Sequence, residues 1–256
     1  MIVALALFLI AADPVALVKF ATPEGAARLE KAKAKADFFA LAGHFEAQVN
    51  GGMCGPASSV IVLNALRVDG SKAQLPRDTS TVPPDVLSRL PKGVEVGLAR
   101  YTQTALIADP KFASVKPLDQ FYGKPKDAKS KPSPGLQLRE LAGVLKAQGL
   151  SVDVHVVDAA ANEDAIVKEI AENVGRGGDF VIVNFLRSVV GQAGGGHHSP
   201  VGAYDEASKS FLLLDTNPTD GKGWAWIPAG ALVAAMRTAD AIENRGYLIV
   251  KEGAPQ

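Results

Sequence analysis

Cys54 is the only cysteine among 256 residues and stands in the stretch QVNGGMCGPASSVIVLNAL. A single thiol can make neither an intrachain disulfide nor a multi-cysteine zinc site, so it is either a small buried hydrophobe or a nucleophile. Its neighbours favour the nucleophile. Gly51, Gly52 and Gly55 interrupt the chain, and the apolar residues after Pro56 read as a buried helix whose first turn tolerates proline. A thiol at the start of a helix meets backbone N–H groups of partial positive charge, which favour the thiolate. The small residues Gly52, Gly55 and Ala57 are expected to leave room for a substrate carbonyl. Gln48, six residues upstream, can donate its amide to an oxyanion beside the Cys54 N–H, although an ordinary surface amide fits the position too.

A thiolate nucleophile needs a base that can later protonate a leaving amine, and histidine does this near neutrality. GGGHHSPVGAY offers His197 and His198. Adjacent strand residues point to opposite faces, so one histidine is expected to face Cys54 and the other to be a core or surface residue. The same divergence argues against a metal-binding pair, and no metal ligands are assigned. The base in turn needs a group to hold its ring. Asp215 ends SFLLLDT, which can return antiparallel to SPVGAYD through a hairpin at residues 206–209 and so approach the histidines. A carboxylate at the end of a buried strand normally has a partner, although a turn-forming aspartate before Thr216 is the plainer alternative.

The elements that must position these residues read as α+β. Thr22 is a candidate N-cap for one helical stretch, AARLEKAKAKADFFALA. PPDVLSRL and GLARYTQTAL look like short helices, and the Lys- and Pro-rich run at residues 111–135 reads as an exposed loop. GLQLRELAGVLKAQGL is amphipathic with Gly149 as terminator, and NEDAIVKEIAENV is a further helix. SVDVHVV alternates as a strand, with His155 in a structural role. DFVIVNFL, SPVGAYD, SFLLLDT, GWAWIP and GYLIVK then read as five short strands. A helical first half before a strand-rich second half is an α+β layout.

Hydrophobic residues make up 47% and charged residues 21%, which suffices for a core, and 27 basic residues balance 27 acidic ones. That balance lacks the basic footprint of a nucleic-acid binder. The apolar run at residues 1–12 is too short for a transmembrane span, which needs about 20 residues. Its length suits a signal peptide, while the usual basic start is missing. The expected location is therefore periplasmic or otherwise exported, with a cytoplasmic one as the alternative.

QVNGGMCGPASSVIVLNAL, GLQLREL, VIVNFLR and GGHHSPVGAYDEASKSFLLLDT together resemble the catalytic domain of phytochelatin synthases, most nearly the short bacterial members. The resemblance runs over roughly residues 20–250. It implies a papain-like fold, with a helical lobe carrying Cys54 packed against a sheet lobe carrying the histidine and the aspartate. It maps the family's nucleophile onto Cys54, its oxyanion glutamine onto Gln48, and the histidine of its H-x-S-P motif onto His197, with His198 at the variable position. The family's aspartate, fifteen residues after that proline, falls on Asp215. The implied activity is transfer of a γ-glutamylcysteinyl group from glutathione, through a thioester, to water or to a second glutathione.

With a single thiol, water is the expected main acceptor. Gly55 and Arg187 are the expected substrate contacts, Arg187 either pairing with a glutathione carboxylate or standing on the surface. No resident cofactor is implied, and cadmium or zinc enter as metal–glutathione thiolate substrates. A homodimer is the assembly to look for. The segment TNPTDGKGWAWIP, with Trp224 and Trp226, departs from the family's aromatic, basic and double-proline continuation and bears on the acceptor side. Two other readings stay open: another papain-like cysteine peptidase, of the double-glycine leader type, and a non-catalytic thiol or metal binder.

Overall fold

The computed structural model describes residues 15–68, 75–219 and 221–254. The apolar run at residues 1–12, read above as an export signal, lies outside the described residues. Strand β1 (Val18–Lys19) leads to Thr22, whose hydroxyl accepts the Gly25 N–H at 3.1 Å and caps α1 (Pro23–Lys31). The sequence suggests that this helix runs on to residue 42. Instead the chain leaves the helix at Ala32 and restarts as α2 (Ala36–Gly43). In the gap, the Ala34 carbonyl accepts the Tyr204 N–H at 2.8 Å, so pairing with the sheet overrides local helix propensity.

Helix α3 (Cys54–Arg67) is buried without a break from Gly55 through Asn64. Among the described residues four short helices follow, namely α4 (Pro84–Leu87), α5 (Gln103–Ala108), α6 (Pro110–Val115) and α7 (Leu118–Phe121). The last two correct the expectation of an exposed loop for residues 111–121, while residues 122–135 form a loop with no buried residue, as expected. Phe112 and Phe121 are buried there and meet edge to face at 5.4 Å, and Lys116 is buried against Glu140 at 2.8 Å. The lysines and prolines masked two aromatic anchors spaced nine residues apart. Helix α8 (Leu138–Ala147) buries Leu138, Leu141, Val144 and Leu145 as its periodicity suggests, and Gly149 follows at φ +86°.

The second half supplies β2 (Leu150–Val156), α9 (Glu163–Arg176), β3 (Asp179–Leu186), β4 (Gly196–Asp205), β5 (Ser210–Leu213), β6 (Ala225–Pro228), α10 (Ala229–Met236) and β7 (Gly246–Glu252). The seven strands form one antiparallel sheet in the order β1-β6-β5-β4-β3-β7-β2. β3 is buried on both faces, which is why it reads as an apolar run. Phe180 and Ile182 pack with α3 and α8, whereas Val181, Val183 and Phe185 join the core with α9 and α10. The expected hairpin joins β4 to β5, with Lys209 at φ 48°. His155 stacks on Tyr247 with centroids 4.5 Å apart, a packing role.

Both tryptophans fasten the first helices to the sheet. Trp224 packs against Phe20, Phe38 and Phe45, and the buried Trp226 donates its indole N–H to the Gly25 carbonyl at 2.9 Å. Gly25 is obligatory there, since a Cβ would fall 2.2 Å from the Lys19 carbonyl oxygen. The architecture is α+β and compatible with the expected papain-like arrangement, α3 carrying Cys54 against the sheet that carries the histidines. Among the described residues no helix is long and apolar enough to cross a membrane.

Candidate active site

Asn50 builds the turn that presents Cys54. Its side-chain oxygen accepts the Gly52 N–H at 3.1 Å and its carbonyl accepts the Met53 N–H at 3.2 Å. Helix α3 then opens at Cys54, and its first bond from outside the helix body is Ala57 N–H to Met53 O at 2.8 Å. Pro56 has no N–H, so the open donors at the helix head are those of Cys54 and Gly55, as helix geometry requires. They give the sulfur a locally positive surround. Gly55, expected to leave room for a substrate, also has a packing role. Gly55 is buried, and a Cβ there would meet Leu136 Cδ1 at 3.1 Å, so its small size serves packing. Only its backbone remains to offer a ligand.

β4 brings in both histidines at its start. Phe185 pairs with His197 and Asn184 with His198, so the two side chains leave opposite faces of the sheet. Yet both rings act on the one sulfur. His198 Nδ1 lies 4.0 Å from Cys54 Sγ. Burial by itself would push the thiol up, but hydrogen bonding to His197 and then His198, with Coulombic attraction to both, holds it well below the ordinary thiol range. The expectation that only one imidazole can reach Cys54 therefore fails. Alternation separates side chains over the body of a sheet, and the sulfur meets these two where the strand begins.

Asp215 follows β5 and is 2% exposed. One of its oxygens lies 2.8 Å from His197 Nε2, off the ideal line of the ring N–H. Burial favours protonation of this carboxyl, but hydrogen bonding and attraction to His197, followed by those of Arg187, lower it to about 2. Burial likewise disfavours a charged His197, and its bonds to Asp215 and Cys54 raise its pKa above the ordinary imidazole value. The arrangement favours a thiolate–imidazolium pair leaning on a carboxylate.

Arg187 is where the structure departs most from expectation. It begins a 3-10 turn (Arg187–Val190), is 3% exposed, and donates to the two oxygens of Asp215 at 2.7 and 2.8 Å. It also bonds Gln192. It is therefore not a surface arginine: three of its five N–H donors go to Asp215 and Gln192. The signal was present in the sequence: an arginine directly after a largely apolar, buried strand needs an anion, and Asp215 needed a cation.

Gln48 stands beside the same corner. Its backbone N–H donates to the Thr216 carbonyl at 2.8 Å, and its side-chain oxygen accepts the Thr216 hydroxyl at 3.1 Å. Its amide nitrogen donates to the Asn50 carbonyl at 2.7 Å, which leaves its second N–H for another acceptor. Thr216, not singled out by its type, thus ties the segment before Cys54 to the segment after Asp215. Among the described residues no group of three or more His, Cys, Asp or Glu side chains is arranged to hold a metal ion.

Comparison with known proteins agrees with this geometry. Residues 12–78 and 100–247 match the family model described as phytochelatin synthase. The chain is 26% identical over 244 residues to glutathione gamma-glutamylcysteinyltransferase 3 of Lotus japonicus, covering 92% of this chain and 42% of that protein. It is 28% identical over 123 residues to the glutathione gamma-glutamylcysteinyltransferase of Schizosaccharomyces pombe, covering 46% of this chain and 28% of that protein. The chain thus spans less than half the length of either relative. With most of its length matched, including every residue of the site just described, the chain belongs to the phytochelatin synthase family.

Proposed function

We propose that this protein is a cysteine-dependent glutathione hydrolase and γ-glutamylcysteine transferase. The observation that carries the reading is the half-buried Cys54 thiol at a helix head, its pKa held well below the ordinary thiol range by the imidazoles, with His197 in turn 2.8 Å from Asp215. The Cys54 sulfur attacks the Cys–Gly carbonyl carbon of glutathione, and an S–C bond forms as the oxygen takes the electron pair. The Cys54 N–H and the free Gln48 N–H steady that oxyanion. The C–N bond then breaks, and His197 gives its proton to the departing glycine amine, leaving a γ-glutamylcysteinyl thioester. Water, deprotonated by His197, attacks the thioester and expels the sulfur, releasing γ-glutamylcysteine. A second glutathione amine in place of water gives a phytochelatin. Water is the favoured acceptor here, because Cys54 is the only thiol in the chain and none is left to hold a metal–glutathione thiolate.

The test is product analysis after incubation with glutathione, with and without cadmium or zinc, alongside intact-mass detection of the acyl-enzyme. Release of glycine and γ-glutamylcysteine, with an adduct on Cys54, is expected. Cleavage of a double-glycine leader peptide without glycine release from glutathione would overturn the substrate assignment.

A further inference from the structure

The mechanism above leaves His198 without a task, although it is 2% exposed and lies against the sulfur. Its backbone is pinned: the carbonyl accepts the Ser58 hydroxyl of α3 at 3.3 Å, and β3 pairs with it at Asn184. Its Nε2 is buried and has no hydrogen-bond partner. A buried N–H without an acceptor costs more than a bare lone pair, since orphaned donors are the rarer defect in proteins. In the neutral ring the proton therefore belongs on Nδ1, the nitrogen 4.0 Å from Cys54 Sγ.

We propose that His198 is a second catalytic imidazole, an Nδ1–H donor that steadies the Cys54 thiolate whether or not His197 carries its proton. The proposal rests on Cys54 being the nucleophile. A single imidazolium cannot serve the sulfur throughout the cycle. Once His197 has protonated the glycine amine it is neutral, and in the resting enzyme it is neutral again at alkaline pH. His198 supplies a donor that is not used up. In the hydrolytic step a C–O bond forms, the water proton goes to His197, and the C–S bond breaks with its electron pair returning to sulfur. The donor on Nδ1 makes that sulfur a better leaving group.

The charged and titratable groups around the sulfur are few. β4 contributes His197 and His198, and Asp215 with Arg187 stands behind His197. The Asp240–Arg245 pair lies beside Gly196 and Asn184. The first turn of α3 has no acid. Of these groups the two imidazoles are the ones hydrogen-bonded to the thiol.

The test is the pH dependence of Cys54 alkylation by iodoacetamide in the whole protein, with melting temperature as the check on folding. In His198→Phe and His198→Gln the midpoint for thiolate formation should rise by about one pH unit. The acid limb of kcat/KM for glutathione should rise with it. His198→Asn, whose short amide can place an N–H near the Nδ1 position, should recover at least half of the shift. A folded Phe or Gln variant with the unchanged midpoint, or an Asn variant as impaired as Gln, would overturn the proposal. Should Phe fail to fold, the Gln–Asn contrast decides. A shifted midpoint in a protein that leaves glutathione intact would sink the substrate reading and leave the role of His198 standing.

Discussion

The two arms of Arg187 close on the two oxygens of Asp215, and His197 meets the same carboxylate at 2.8 Å. With Cys54 as thiolate and His197 protonated, the states their shifts favour, two cations face two anions and the site is neutral overall. Such a balance offsets the cost of holding ionised groups out of water. Arg187 is thus coupled to His197 through the carboxylate they share.

Replacing Arg187 should therefore cost stability before it costs chemistry. Arg187→Ala strands a buried carboxylate, and chemical denaturation should register a loss of about 3–5 kcal/mol. Arg187→Lys keeps the charge but loses the paired geometry, so an intermediate loss is expected. A substrate-binding arginine would instead raise KM and leave stability unchanged.

Gln48→Glu keeps the side-chain shape and removes the amide donor. On the oxyanion reading, kcat for glutathione should fall about 100- to 1,000-fold with KM little altered. Alkylation of Cys54 should stay fast, since the thiolate is held by the histidines. Slow alkylation would show that Gln48 acts on the nucleophile instead.

Asp215 sets the acid limit of the fold. Its folded pKa of about 2 lies below the unfolded value of about 3.9. Its contribution is complete above the unfolded value and is lost as pH falls through the folded one. A loss of about 2.5 kcal/mol is expected across that window, and Asp215→Asn should flatten it when unfolding is followed against pH.

Asp37 has the opposite sign. It is buried in α2, its oxygens lack hydrogen-bond partners, and burial followed by Asp179 pushes it up to about 8, against the weaker pull of Arg176. Between the unfolded value of about 3.9 and about 8 the folded protein holds the extra proton. Stability should fall as pH rises through that interval, by up to about 1.4 kcal/mol per unit. Asp37→Asn should remove the slope. A variant that melts in parallel with the parent at every pH would refute this account.

Much of this was legible in the residues. The Thr22 cap, the amphipathic α8, the five later strands and Cys54 at the head of α3 follow from local pattern, because each rests on neighbours within a few positions. The approach of Asp215 to the histidines followed from one short hairpin. What escaped was decided by distant partners. The break at Ala32 depends on Tyr204, and the burial of Phe112 depends on the packing of α6 against α8. The reach of both histidines depends on where the sulfur stands relative to the start of a strand. The bond from Arg187 to Asp215 escaped because a guanidinium suits a substrate carboxylate and a protein one equally well, and the sequence does not say which lies near.

The bond from Trp226 to the Gly25 carbonyl joins residues 201 apart in sequence. During synthesis the opening helices leave the ribosome long before the tryptophan that covers them exists. Phe20, Phe38 and Phe45 must wait uncovered through most of translation, and closing so long a loop comes late in folding. The seam that completes the molecule is also where a nascent chain is most exposed to wrong partners.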